Sequence, residues 1–129
     1  MFENVCLAIK VALDLNIDKK VIQKALPFLS FEGRFQYLNK GKIKNKLNRN
    51  ELIMIDGAHA TADAQNLASY LKKIKIPKYG IWAMTKNKDP DLFIKQLKGV
   101  FKKIITMPIS NTVNSVSAQE LYRVATENR

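Results

Sequence analysis

Between Leu52 and Leu71 the chain reads LIMIDGAHATADAQNLASYL. An apolar run stops at Asp56, passes through Gly57, and gives way to Ala64, Leu67, Ala68 and Leu71, which share one face only if the chain is helical. Strand, tight turn and helix follow, and this change of period commits the chain to mixed α/β architecture. A carboxylate at the carboxyl end of a strand, followed by a glycine turn and a helix start, is where open α/β sheets hold nucleotides. The carboxylate accepts from ribose hydroxyls, and the helix start favours phosphate. His59, the only histidine of the chain, lies in that turn.

The flanking sequence supplies more elements. Val5, Ala8, Ile9 and Ala12 have helical spacing over about Glu3 to Leu15, and Asp18 is placed to cap a second short helix ending near Pro27. Phe35 to Leu38 reads as a strand that Gly41 turns into a hairpin. After the Leu52 to Ile55 strand comes a helix from Thr61 to about Lys73, whose first turn Thr61 can cap. Tyr79 to Met84 reads as a buried strand containing Trp82 as a core residue, Asp89-Pro90 opens a helix through Leu97, and Lys103 to Met107 is a further strand. Ser117 and Glu120 have the capping-box spacing for a last helix to about Thr126. Alternation of this kind implies a mostly parallel sheet, with the Leu52 to Ile55 and Tyr79 to Met84 strands adjacent, parallel and central, since both are apolar throughout.

With 129 residues and 47% apolar content, the chain suffices for one core. It has no apolar run of the roughly 20 residues a membrane span needs, and no cleavable signal pattern at MFENVCLAIK, so a cytoplasmic protein is expected. The single Cys6 excludes an internal disulfide and reads as a buried thiol. The net charge of +11 favours anionic ligands without choosing among them. Lys40, Lys42, Lys44 and Lys46 alternate, so an extended chain would put all four on one face: a lysine-protected edge or solvated loop, or else a nucleic-acid contact. The segment has none of the interleaved aromatic residues that stack on bases.

A second segment, SFEGRFQYL at Ser30 to Leu38, makes the pattern specific. Together the two segments resemble the C-terminal domain of folylpolyglutamate synthase/dihydrofolate synthase, of the Mur ligase superfamily. That family has a tryptophan-proline-Gly-Arg element and then Asp-Gly-Ala-His-Asn-Pro at a helix start, and Gly33, Arg34, Phe35, Asp56, Gly57, Ala58 and His59 match it here. GIWAMTKNKDPDLFIKQL resembles the next strand and its Asp-Lys-Asp turn through Lys88 and Asp89, and Asn4 stands at the family's asparagine in the entering helix. Phe31-Glu32, Ala60-Thr61 and Asn87 depart from the pattern.

The resemblance implies a three-layer, Rossmann-like domain over residues 30–129. A helical linker over residues 1–29 would precede it, and the domain would be cut short at its C-terminal end. It implies nucleotide contacts from Arg34, Asp56, His59 and Asn4, converging at the carboxyl end of the sheet, and a glutamate contact from Lys88. Arginine suits bidentate phosphate contact, and Gly33 beside it permits close backbone approach. The family's partners are ATP, Mg2+, L-glutamate and a folate or pteroate, joined through an acyl phosphate. No G-x-x-x-x-G-K-[ST] segment occurs, so a P-loop domain supplied in cis or in trans, which also holds the metal, is expected. Catalytic residues are expected elsewhere than in this chain. Two other classes stay open, a stand-alone Rossmann-like nucleotide-binding module and a basic RNA-binding protein using the Lys40 to Arg49 segment.

Overall fold

The computed structural model describes residues 2–128. It is an α/β chain whose contacts divide it into two compact units, one ending at Asp56 and the other starting at Gly57. Among the described residues no helix is long and apolar enough to cross a membrane.

The first unit begins with α1 (Phe2–Asp14), which ends where Asn16 takes a left-handed φ of 58°, a conformation asparagine tolerates. The Asp18 side chain accepts from the Lys20 N–H at 2.7 Å and caps α2 (Lys19–Ala25), as the sequence predicts. Pro27 then sits inside a 3-10 turn, Leu26–Phe28. Strands β1 (Gln36–Tyr37) and β2 (Met54–Ile55) pair antiparallel, Gln36 opposite Ile55 and Tyr37 opposite Met54. None of the described residues of this unit is buried.

The second unit holds α3 (Thr61–Lys73), β3 (Tyr79–Trp82), α4 (Pro90–Gln96), β4 (Lys103–Thr106) and α5 (Ala118–Glu127). Strands β3 and β4 are parallel, in register from Tyr79 opposite Lys103 to Trp82 opposite Thr106. The predicted face of α3, Ala64, Leu67, Ala68 and Leu71, is buried together with Trp82, Phe93, Ile94, Leu121 and Val124. Trp82 is core, as expected, stacked on Phe93 at a centroid distance of 5.9 Å. Its indole N–H is the one buried side-chain polar atom, among the described residues, with no hydrogen-bond partner. Gly80 leaves room for the ring of Phe101, which would lie 3.4 Å from a Cβ there. Asp89 caps α4 through the Leu92 N–H at 2.9 Å, and Ser117 caps α5 through the Glu120 N–H at 3.2 Å.

Several sequence expectations are corrected. The Leu52 to Ile55 and Tyr79 to Met84 runs are not adjacent parallel strands: β2 takes its partner from β1 and β3 from β4. An apolar run states what a strand can bury and is silent on its hydrogen-bond partner. The Tyr79 to Met84 strand is also not buried on both faces, since Tyr79 and Ile81 are 63% and 73% exposed while Trp82 and Met84 are buried. Thr61 does not cap α3; Ala60 occupies the N-cap position with no side-chain hydrogen bond, and Thr61 is the first helical residue. A 3-10 turn at Lys44–Lys46 breaks the extended geometry that would have aligned the four lysines. Cys6 is exposed on α1, because this unit has no core to receive it.

Candidate functional site

Arg34 and Asp56, distant in sequence, are joined within the first unit through one residue. The Phe35 N–H donates to Asp56 Oδ2 at 2.8 Å, where β2 ends. The side chain of Arg34 is exposed, while that of Asp56 is half-buried. The turn around Arg34 is sharply bent: Gly33 and Phe35, its two neighbours, have φ of 68° and 44°. Glycine enters that region without cost, whereas a phenylalanine does so only where its surroundings hold it. Gln36 Oε1 accepts from the Gly33 N–H at 2.8 Å, and the Arg34 N–H donates to the Phe31 carbonyl at 3.2 Å. Sequence reading missed the parts played by Phe35 and Gln36. A glycine followed three residues later by a glutamine was the available signal, because that spacing lets a side-chain amide close over a turn.

Asn4 lies exposed on α1 of the same unit. His59 and Lys88 belong to the second unit. His59 Nδ1 lies 2.8 Å from the Gly57 carbonyl and 3.9 Å from Asp63 Oδ2. A carbonyl oxygen only accepts, so Nδ1 is the donor in the contact with Gly57. The carboxylate of Asp63 already places negative charge in the first turn of α3, where the helix dipole favours it.

Lys88 is half-buried in the turn beyond β3, at the carboxyl end of the parallel pair. This turn is braced on both sides. Thr85 bridges to Ser115, the Lys86 N–H donates to the Asn114 carbonyl at 2.7 Å, and the Lys88 N–H donates to the Thr85 carbonyl at 3.2 Å. Asn87 Oδ1 accepts from the Thr85 hydroxyl at 2.7 Å, so the departure from aspartate at this position keeps an acceptor. Asp89 is committed to capping α4. Among the described residues no three His, Cys, Asp or Glu side chains are grouped to hold a metal ion.

No family model matches the chain, and no curated protein matches it. Its fold does match solved structures of folylpolyglutamate synthases. The enzyme from Thermotoga maritima superimposes with a TM-score of 0.72 at 21% identity, over 98% of this chain and 29% of that one. The Mycobacterium tuberculosis enzyme complexed with ADP gives 0.72 at 19% identity, over 86% of this chain and 23% of that one. A bifunctional folylpolyglutamate synthase/dihydrofolate synthase with Mn, AMPPNP and L-glutamate bound gives 0.68 at 21% identity, over 83% of this chain and 24% of that one. The chain spans about a quarter of the length of the structures it matches. At these identities the likeness is one of fold: this chain folds as a region of folylpolyglutamate synthases does.

Proposed function

We propose that this chain is the C-terminal, nucleotide- and glutamate-contacting portion of an ATP-dependent folylpolyglutamate or dihydrofolate synthase. The observation that carries the reading is the Phe35–Asp56 hydrogen bond, which ties the Gly33-Arg34 segment to Asp56 within a fold of folylpolyglutamate synthase type. Nucleotide complexes among the matching structures, and one with L-glutamate, support the ligand class. In this reading Arg34 meets the nucleotide phosphates, Asp56, His59 and Asn4 belong to the nucleotide-binding site, and Lys88 meets a carboxylate of glutamate. The parallel pair β3 and β4 then belongs to a three-layer, Rossmann-like domain.

In the complete enzyme ATP phosphorylates a carboxylate of the folate or pteroate. The amine of L-glutamate attacks the acyl phosphate, and phosphate leaves. The share of this chain is to orient nucleotide and amine and to keep water from the acyl phosphate. A transferring phosphoryl group spreads charge over its oxygens and needs loop amides and a metal, which a P-loop domain in cis or in trans supplies.

Isothermal titration of the 129-residue chain with ADP and with a short RNA tests this. ADP binding is expected to be weak and to fall at least about tenfold in Arg34→Ala, the loss of one charge-assisted contact. Supplied with ATP, glutamate and a folate, the chain alone is expected to give no folylglutamate. Binding of RNA with a steep fall in added salt, and none of ADP, would favour the RNA-binding reading.

A further inference from the structure

We propose that Asp56 acts on the bound nucleotide as a positioning residue, by locking the turn that carries Arg34. The inference rests on the nucleotide reading of this site. Three consecutive amides, those of Gly33, Arg34 and Phe35, each have a defined acceptor: Gln36 Oε1, the Phe31 carbonyl and Asp56 Oδ2. Two of these acceptors belong to the turn itself. Asp56 reaches it from a distant part of the chain, at the end of β2.

The amide it holds belongs to the residue least suited to its backbone. Phe35 has a φ of 44°, where its Cβ crowds the neighbouring carbonyl oxygen, and a non-glycine residue stays there only when its surroundings over-determine it. Release of the Phe35 N–H removes a hold on the turn from outside it and lets Phe35 relax toward negative φ. That rotation would swing the Cα–Cβ direction of Arg34, its immediate neighbour. The carboxylate therefore serves the nucleotide through Phe35 and Arg34, with the arginine as the group that touches phosphate.

The test uses the whole chain, with ADP as the probe and the Phe35 amide as a readout that needs no ligand. Asp56→Ala is expected to raise the hydrogen-exchange rate of the Phe35 amide and to weaken ADP binding about tenfold. Asp56→Asn retains an acceptor oxygen, so it should keep the amide protected and bind ADP more tightly than Asp56→Ala. The decisive variant is Phe35→Gly in the Asp56→Ala background. Glycine adopts positive φ without strain, so this double variant should recover several-fold of the lost affinity. Unchanged fluorescence of Trp82 in every variant checks that the second unit stays folded. A double variant as weak as Asp56→Ala, or Asp56→Asn as weak as Asp56→Ala, overturns the proposal in favour of direct contact by the carboxylate. A Phe35 amide whose exchange ignores Asp56→Ala overturns the lock itself. A wild-type chain that binds no ADP overturns the nucleotide reading, and the amide then still decides whether the lock exists.

Discussion

From Gly57 onward α3, α4 and α5 bury their apolar faces with Trp82 and Met84, whereas up to Asp56 no described residue is buried and Leu7 and Val11 on α1 and Leu15 just beyond it are exposed. The two units are held by different forces. The second is kept by burial, worth about 25 cal/mol for each Å2 of apolar surface removed from water. The first is kept by local hydrogen bonds: the Asp18 cap, the two-residue antiparallel ladder and the carboxylate of Asp56 on Phe35. Segments with few buried contacts open at low free energy, and ligand-binding elements are drawn from that end of the scale. Arg34 and Asp56 lie in the unit without a core, where hydrogen bonds such as that from Phe35 to Asp56 hold their geometry.

The largest difference between the units should appear on truncating a leucine in each. Leu121 is fully buried, so Leu121→Ala should cost about 2–5 kcal/mol in urea unfolding followed by Trp82 fluorescence. Leu7 is 64% exposed, and Leu7→Ala should change the same quantity by less than about 0.5 kcal/mol. Equal effects would break the comparison, because α1 would then be as buried in solution as α5.

Native-state hydrogen exchange separates the units residue by residue. Amides of α3 and α5 should exchange only through global unfolding, and those of α1 and α2 at least about tenfold faster. Uniform protection along the chain would contradict the account.

Helix caps give a smaller, sharper contrast, since the same interaction occurs in both units. Ser117→Ala and Asp89→Ala each remove a side chain that accepts a first-turn amide in the second unit and should cost about 1 kcal/mol, read by Trp82. Asp18→Ala removes the same kind of bond from α2 and should lower far-ultraviolet helicity while leaving the Trp82 midpoint in place.

The smallest effect concerns Glu51, an exposed carboxylate held below its ordinary range by the Asn48 N–H, with the nearby Lys44 charge adding to it. A carboxyl lowered in the folded state stabilises above its unfolded value of about 4.3 and loses that contribution as pH falls through the folded one. The Asn48 amide resonance should therefore titrate in acid, and Glu51→Gln should abolish the titration without moving the Trp82 midpoint.

Where side chains state their own partners, the sequence was legible. Helix α3 begins at Thr61 and buries the four residues its spacing marks; Asp18, Asp89 and Ser117 cap as their positions predict; Trp82 is core. Strand pairing was illegible, because the Leu52 to Ile55 run carries no mark of whether β1 or β3 will be its partner. Burial of Cys6 was misread for a related reason: apolar neighbours on a helix show that a face can be covered and not that anything covers it. At the site, Arg34 and Asp56 could be named from their motifs, but the bond that joins them passes through a backbone amide, and a backbone amide leaves no trace in residue identity.

The central claim is that the turn around Arg34 and the end of β2 meet a nucleotide. Titration of the 15N-labelled chain with ADP tests it most directly, since every backbone amide reports separately. The account predicts chemical-shift changes concentrated at Gly33 to Gln36 and at Ile55 to His59, suppressed in Arg34→Ala. Changes confined to the lysine-rich stretch from Lys40 to Arg49, or persisting in full in Arg34→Ala, would contradict it.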